Sequence, residues 1–394
     1  MDKILDEETY KIKPPMQAYF FFPNQSDTFI ENPTDPCKSR RIFFEGNIEY
    51  TTFEKNKMKE FMEEINKYNK NNLNDQILIP FNWSVAETLK CLQSTTYNFP
   101  KSIILLKDYL HWRLKVDKIV LTEKILEILN TGFFYVCGRD SRFRPIIVQN
   151  FNKYKKYTGK YTDQEYEEAI IYFMQYVVKN LLIPGQIENW NVIVDKGDYN
   201  IFSIPTGIMN IARMLQNNYR SRLYKGFVFG FSGFWTFLWI IVKSFLDEST
   251  NAKITIMDSS NKNLLFDLIN KEQLEKKYGG DIENIEEGHF FPPNNNNQNY
   301  LIKDESSEIL MTENSYIEKV MKDDRIAKSP YRKRYSLKIK FGNLYHLYFQ
   351  YNNSIFTRYL QYKHQIYQDY CTKYDDEVKK NKVQTENIYI TSID

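Results

Sequence analysis

The sequence lacks any surplus of charge of one sign. Its 53 Lys and Arg stand against 50 Asp and Glu, a formal +3, and the basic residues alternate with acidic ones instead of forming a stripe. This composition excludes nucleic acid as the natural partner. Paired cysteines are missing too: Cys37, Cys91, Cys137 and Cys371 are isolated, with no CxxC spacing. They read as free thiols of a reducing compartment, not as a disulfide framework. The four histidines, His111, His289, His346 and His364, form no cluster. With no HExxH, no paired His/Cys spacing and no phosphate-cradling glycine loop, the sequence supports neither a metal nor a nucleotide cofactor. The N-terminal segment MDKILDEETYKIK is charged throughout, where a signal peptide needs an apolar stretch. A cytoplasmic protein is expected.

What is present is an excess of aromatics, with 30 Tyr and 28 Phe among 394 residues. Such an excess suits cavities and membrane interfaces; a codon bias that also produces the Asn294–Asn297 tract gives the same excess. The chain also runs without a charge from Gly226 to Val242, reading GFVFGFSGFWTFLWIIV. Seventeen residues lie at the short limit for crossing a bilayer, and Gly230, Ser232 and Gly233 break the run. It divides into a short aromatic strand, Phe227 to Phe231, and a helix-length segment, Phe234 to Leu246. The second segment is apolar nearly all the way round and therefore wants apolar partners on every side. On residue pattern alone it reads as a core helix.

The remaining pattern implies an N-terminal arm (1–50), punctuated by proline, and a helical lobe (51–130). An amphipathic helix is expected over about 52–69. Ser84 with Glu87 makes a capping box that opens a second helix, with Val85, Leu89 and Leu92 inward. A third over about 101–115 has Ile104, Leu105, Tyr109 and Trp112 on one face, and a fourth from Thr122 has Ile125, Leu126 and Leu129 inward. Strand-length apolar runs then alternate with helices. The strands are 133–138, 144–150, 189–195, 226–231 and 253–258; the helices are 163–180, 205–217 and 234–246. Alternation of this kind predicts an α/β fold with a mostly parallel sheet of about five strands in residues 131–290. A linker and C-terminal extension (291–394) follow, with a hairpin signal around Phe341-Gly342-Asn343 and a helical spacing through Phe356, Tyr359, Leu360 and Tyr367.

Several landmarks fall in one order: Gly138, Asp140, Arg144 and Pro145; Asp195 with Gly197; Phe245-Leu246-Asp247 followed by Lys253-Ile254; and Tyr278-Gly279-Gly280. In this order the chain resembles the CRAL-TRIO lipid-binding domain family over about residues 77–285. The resemblance implies a sheet floor and a mobile gate helix enclosing a pocket for one hydrophobic molecule. It makes Phe234–Leu246 the gate, with Phe234, Trp235, Phe237, Leu238, Trp239, Ile240, Ile241, Val242 and Phe245 as its apolar surface, and Lys243 at headgroup depth.

The resemblance also implies a ligand wall of Trp190, Val192, Tyr219, Ser221, Arg222, Phe229, Phe231 and Lys253. In phosphoinositide-transferring members of the family a basic pair, a Glu and a strand-opening Lys bind the headgroup. Here Lys253 keeps the Lys, while the pair falls on Phe81 and Asn82 and the Glu on Ser221. The hydroxyl residues that hold a choline phosphate fall near Trp190 and Val192, which cannot supply those bonds. Lys253 reads either as a phosphate ligand or as an exposed strand start paired with Asp247 or Glu248. Arg220 and Arg222 read as surface charges or as anion ligands.

Transfer energetics give the gate a purpose. Two acyl chains of roughly 30 methylenes, at about 0.8 kcal/mol each, cost about 25 kcal/mol to release into water, so exchange has to occur against a bilayer. The expected function is a monomeric carrier of one phospholipid, phosphatidylinositol first, that contacts membranes transiently and performs no covalent chemistry. The alternatives are a carrier of a sterol, tocopherol or retinoid, or a lipid-sensing interaction module. An esterase reading rests on Gly230-Phe231-Ser232-Gly233-Phe234, with Asp258 and His289 as partners. Phe234 occupies the place of the second elbow glycine, and no HGGG-type loop is present.

Overall fold

A computed structural model describes residues 2–293 apart from 16, 17, 19–22, 24, 47, 81, 82, 198–205, 230–247, 258–260 and 262. The chain divides into two units. One comprises Met1–Pro14, Phe21–Pro80 and Ser84–Asn299. The other comprises Pro15–Phe20, Phe81–Trp83 and Tyr300–Asp394, and of it only Pro15, Ala18 and Trp83 are among the described residues. The C-terminal hairpin and helix expected from the sequence lie outside them.

In the first unit the arm is mostly irregular. It contains a two-residue antiparallel ladder, β1 (Phe29–Ile30) on β2 (Arg40–Arg41). Four helices follow: α1 (Thr52–Asn71), α2 (Val85–Ser94), α3 (Phe99–Val116) and α4 (Glu123–Leu129). Their N-termini are written in the sequence. Thr51 with Glu54 and Ser84 with Glu87 form full capping boxes, while Asn98 and Thr122 cap α3 and α4 singly, satisfying amide donors that the first turn leaves open.

The inward face of α3 differs from the expected one. Ile103 and Leu106 are buried while Ile104 is 63% exposed. The run Ile103–Leu106 is apolar on all sides, so periodicity cannot choose its stripe. Packing chooses it, with Phe99 at the start of α3 meeting Phe61 of α1 at 5.5 Å between ring centroids.

The sheet runs in the order β3-β4-β5-β6-β7. Its members are β3 (Phe134–Arg139), β4 (Pro145–Asn150), β5 (Trp190–Asp195), β6 (Leu223–Phe229) and β7 (Ile254–Ile256). β3 and β4 form an antiparallel hairpin, and β4 through β7 are parallel. This is the mixed, mostly parallel five-stranded α/β sheet that the alternating pattern predicts. The connections are α5 (Phe151–Lys156) and α6 (Asp163–Tyr176) between β4 and β5, and α7 (Thr206–Asn218) between β5 and β6. β6 begins at Leu223 rather than Gly226 because Leu223 and Lys225 pair with Trp190 and Asn191 of β5. A polar-looking start thus belongs to a central strand. Among the described residues no helix is long and apolar enough to cross a membrane.

The register assigns side chains to two faces, since neighbours across a ladder point the same way. One face carries Tyr135, Ile146, Val148, Ile193 and Phe227, which form a packed core with Leu265, Ile269, Leu274, Tyr278 and Phe290 from the segment after β7. The other face carries Val136, Ile147, Val192, Gly226 and Ile254 in one row and Phe134, Gln149, Val194, Val228 and Ile256 in the next. α6 covers its β3 end, with Phe173 stacking edge-on to Phe134 at 6.3 Å.

Candidate functional site

The landmarks that carry the family resemblance prove to be structural fastenings. Asp140 is completely buried. Its Oδ1 accepts from the Arg142 and Arg144 amides at 2.8 and 2.9 Å, and its Oδ2 accepts from Arg144 Nη1 at 3.2 Å and Asn191 Nδ2 at 2.8 Å. The β3–β4 turn is thereby closed and tied to β5. Gly138 lies so close to the segment after β7 that a Cβ would fall 2.3 Å from the Gln273 carbonyl oxygen. Asp195 accepts from the Gly197 amide at 2.9 Å, from Asn150 Nδ2 at 3.3 Å and from the Tyr278 hydroxyl at 3.0 Å. At Gly280 a Cβ would fall 2.1 Å from the Leu274 carbonyl oxygen. These contacts fasten the sheet to its turns and to the segment after β7.

The two sheet faces differ in cover at β5. Ile193 and Phe227, on the filled face, are 0% and 3% exposed. On the opposite face Val192 and Val194 of the central strand β5 are half-buried, as are Ile254 and Ile256 of the edge strand β7, while Val228 of β6, between Val194 and Ile256, is buried. Aliphatic side chains in the middle of a parallel sheet are normally covered from both sides. These partly covered aliphatic side chains are the candidate floor of a ligand site.

The sequence-predicted wall does not share one surface. Val192 lies on the half-open face. Phe229 pairs with Asp195 in the ladder and stacks on Tyr278 at 5.4 Å, so it belongs to the filled face. Trp190 and Tyr219 are buried with ring centroids 6.1 Å apart, and Trp112 of α3 meets Tyr219 edge-on at 5.4 Å. The Tyr219 hydroxyl accepts from Gln175 Nε2 at 3.1 Å and donates to the Ile171 carbonyl at 3.4 Å, both on α6; burial pushes this phenol above its ordinary range. Ser221 takes a positive φ of 62°, and its carbonyl accepts from Asn189 Nδ2 at 2.6 Å. Lys253 is half-buried and donates to the Leu223 carbonyl at 2.6 Å.

Arg222 corrects the expectation of a surface charge. It is buried, bonds Glu45, donates to the Glu188 carbonyl at 3.0 Å and stands 3.9 Å from the Glu188 carboxylate. Lys90 reaches the same Glu45 at 2.6 Å. Glu188 in turn accepts from the Phe44, Glu45 and Gly185 amides at 2.8, 2.7 and 3.0 Å. Burial holds the Glu188 carboxyl above the usual carboxylate range against the pull of Arg222. It likewise drops the Lys90 ammonium below its ordinary value. Burial also pushes Glu45 upward, but Arg222 and Lys90 outweigh it and leave that carboxyl low. Since a buried charge is tolerable only when paired, this cluster is a clasp between the arm, α2 and the start of β6. Its four members are widely separated in sequence, so no spacing could have disclosed it.

The gate residues Phe234, Trp235, Phe237, Leu238, Trp239, Ile240, Ile241, Val242 and Phe245, with Phe231, Lys243 and Ser232, lie outside the described residues, as do Asp247, Asp258, Phe81 and Asn82. Within them, His289 is exposed, and no group of three or more His, Cys, Asp or Glu is placed to hold a metal ion among the described residues.

A family model described as the CRAL/TRIO domain matches residues 129–280. The CRAL-TRIO domain-containing protein F28H7.8 of Caenorhabditis elegans is 21% identical over 229 residues, covering 50% of this chain and 53% of the relative. The phosphatidylinositol/phosphatidylcholine transfer protein SFH4 of Arabidopsis thaliana is 20% identical over 260 residues, covering 60% of this chain and 42% of the relative. The chain thus spans about half the length of these curated relatives. The crystal structure of Sfh5 is similar over 63% of this chain and 94% of that chain, at 14% identity and a TM-score of 0.45.

Proposed function

We propose that this chain, whose residues 129–280 match the CRAL/TRIO domain family, binds one phospholipid, phosphatidylinositol in the first instance, and exchanges it between membranes. The half-covered aliphatic side chains Val192 and Val194 of the central strand β5, with Ile254 and Ile256 of the edge strand β7, carry the reading. Acyl chains lying on these side chains would complete their burial, each methylene contributing about 0.8 kcal/mol relative to water. Residues 230–247 follow β6 in the sequence, and their apolar composition suits a lid that is covered by lipid when shut and by bilayer when open. No covalent step is required of any residue.

Mass spectrometry of lipid that co-purifies with the recombinant protein tests the proposal, because it reports headgroup and chain number together; a protein free of lipid would overturn it. In vesicle exchange assays, Trp235→Asp should abolish transfer while the fold survives. Unchanged transfer would remove Phe234–Leu246 as the gate. The same experiments bear on a second reading, a carrier of an uncharged ligand such as a sterol, tocopherol or retinoid. That reading is favoured by the Lys253 ammonium, which has the Leu223 carbonyl at 2.6 Å as an internal partner and so does not require a phosphate for its burial. Lys253→Ala should weaken phosphatidylinositol uptake more than sterol uptake if the phospholipid reading holds.

A further inference from the structure

The segment that follows β4 is rich in lysine and tyrosine. From Phe151 to Tyr161 it reads FNKYKKYTGKY, with Lys153, Lys155, Lys156 and Lys160 and no acidic residue. The tyrosines anchor it. Tyr154 and Tyr161 are buried and ring-stacked on Tyr166 at 4.9 and 5.6 Å, so the lysines project from a fixed base. Lys155, Lys156 and Lys160 are exposed. Two carboxylates from other elements meet this turn. Glu287 accepts from Lys153 at 3.1 Å, from Lys156 at 2.7 Å and from the Tyr157 hydroxyl, while Glu127 accepts from Lys160 at 2.7 Å. Glu287 therefore occupies, as an internal anion, a position where three donors converge at the surface.

The position of the turn matters as much as its charge. Asn152 lies against Gly197, where a Cβ would fall 2.0 Å from its Nδ2. Gly197 follows Asp195, the last residue of β5, which is paired with Phe229, the last residue of β6. The lysines thus stand at the carboxyl end of the sheet, the end from which segment 230–247 departs and at which open α/β sheets place their ligand crevices.

We propose that the Lys153–Lys160 turn is the docking surface by which the protein meets an anionic bilayer, with Glu287 as a built-in competitor for the same cations. The proposal rests on the lipid-carrier reading only for its purpose: it places the exit of β6 against the membrane. Anionic headgroups satisfy a cluster of lysines on a rigid aromatic base without any sequence-specific contact, and the attraction falls off within a Debye length.

The test is sedimentation of the full chain with vesicles of phosphatidylcholine alone and with vesicles containing about one third phosphatidylserine, a strongly anionic surface. The wild type should bind the anionic vesicles preferentially. A Lys155→Ala/Lys156→Ala/Lys160→Ala variant should bind them about 100-fold less tightly, as expected for the loss of three surface-proximal lysines. Glu287→Gln should instead tighten binding several-fold, an opposite effect that a folding defect cannot mimic. Unchanged binding by either variant, or a wild type indifferent to anionic lipid, overturns the proposal. Indifference is also what an acidic protein partner, the other occupant such a patch could take, would produce. Sedimentation does not depend on cargo, so failure here leaves any lipid found by mass spectrometry in place, and absence of cargo leaves a sedimentation result standing.

Discussion

The Tyr278 hydroxyl donates to Asp195 Oδ2 at 3.0 Å, joining the end of the central strand β5 to the turn that closes the fold. Tyr278 is 6% exposed, and removing its hydroxyl takes one of three donors, with Asn150 and Gly197, that the half-buried Asp195 carboxylate has among the described residues. Tyr278→Phe should lower unfolding free energy by about 1–2 kcal/mol, measured by urea denaturation. A midpoint equal to that of the wild type would show that the bond contributes nothing.

A larger loss is expected at Arg41 and Glu54. Arg41 Nε and Nη2 each lie 2.6 Å from a Glu54 carboxylate oxygen, and both side chains are 3% exposed. Breaking such a pair from one side leaves an uncompensated buried charge, so Arg41→Met or Glu54→Gln alone should cost about 3–5 kcal/mol. The double variant should recover part of that loss. Additive losses in a double-mutant cycle would show that the two groups do not act as a pair.

Val192 discriminates a cavity floor from a solid interior. Under the carrier reading Val192→Trp should fit the half-open space, cut the amount of bound lipid severalfold and leave thermal stability within about 1 kcal/mol of the wild type. Overpacking a filled core costs about 1–3 kcal/mol instead. A strongly destabilised variant that still carries a full lipid load would count against the floor.

Acid should loosen the attachment of Glu287. Hydrogen bonds from Lys156, Tyr157 and Lys153, in that order of weight, hold its carboxyl down to about 2 from an ordinary 4.5. Because the folded value is the lower one, its stabilisation is complete above the ordinary value and disappears as pH falls toward about 2. The side chain is 39% exposed, so solvent screening keeps the effect small. The difference in urea midpoint between wild type and Glu287→Gln should shrink across that acid window and also shrink with added salt. A difference independent of pH would show that the carboxylate is not the source.

Much of the frame was legible because its signals are local. Ser84 and Glu87 announce a helix start within four residues, and the alternation of apolar runs fixes five strands in a mostly parallel sheet. Where a signal is degenerate, reading fails: the Ile103–Leu106 run offers two equivalent stripes, and only packing on α1 and α2 decides between them. The start of β6 at Leu223 was hidden because Arg222 to Lys225 looks polar, whereas pairing with β5 makes it a strand. Val192, expected at the ligand wall from the order of landmarks, falls half-buried on β5 opposite the packed core. The opposite facing of Phe229 follows from register, which a single sequence does not display. The Glu45–Lys90–Glu188–Arg222 clasp was invisible for a related reason, since contacts between distant segments leave no trace in spacing.

The arm also determines what can be cut away. Asp27 binds Arg142 and stands 3.6 Å from Arg144, and Glu45 binds Arg222. A fragment trimmed to the family-matched stretch would discard Asp27 and Glu45 and thin the neutralisation of these three arginines, leaving Asp140 beside Arg144 and Glu188 beside Arg222. Deletion series meant to isolate the sheet should therefore retain Asp27 and Glu45.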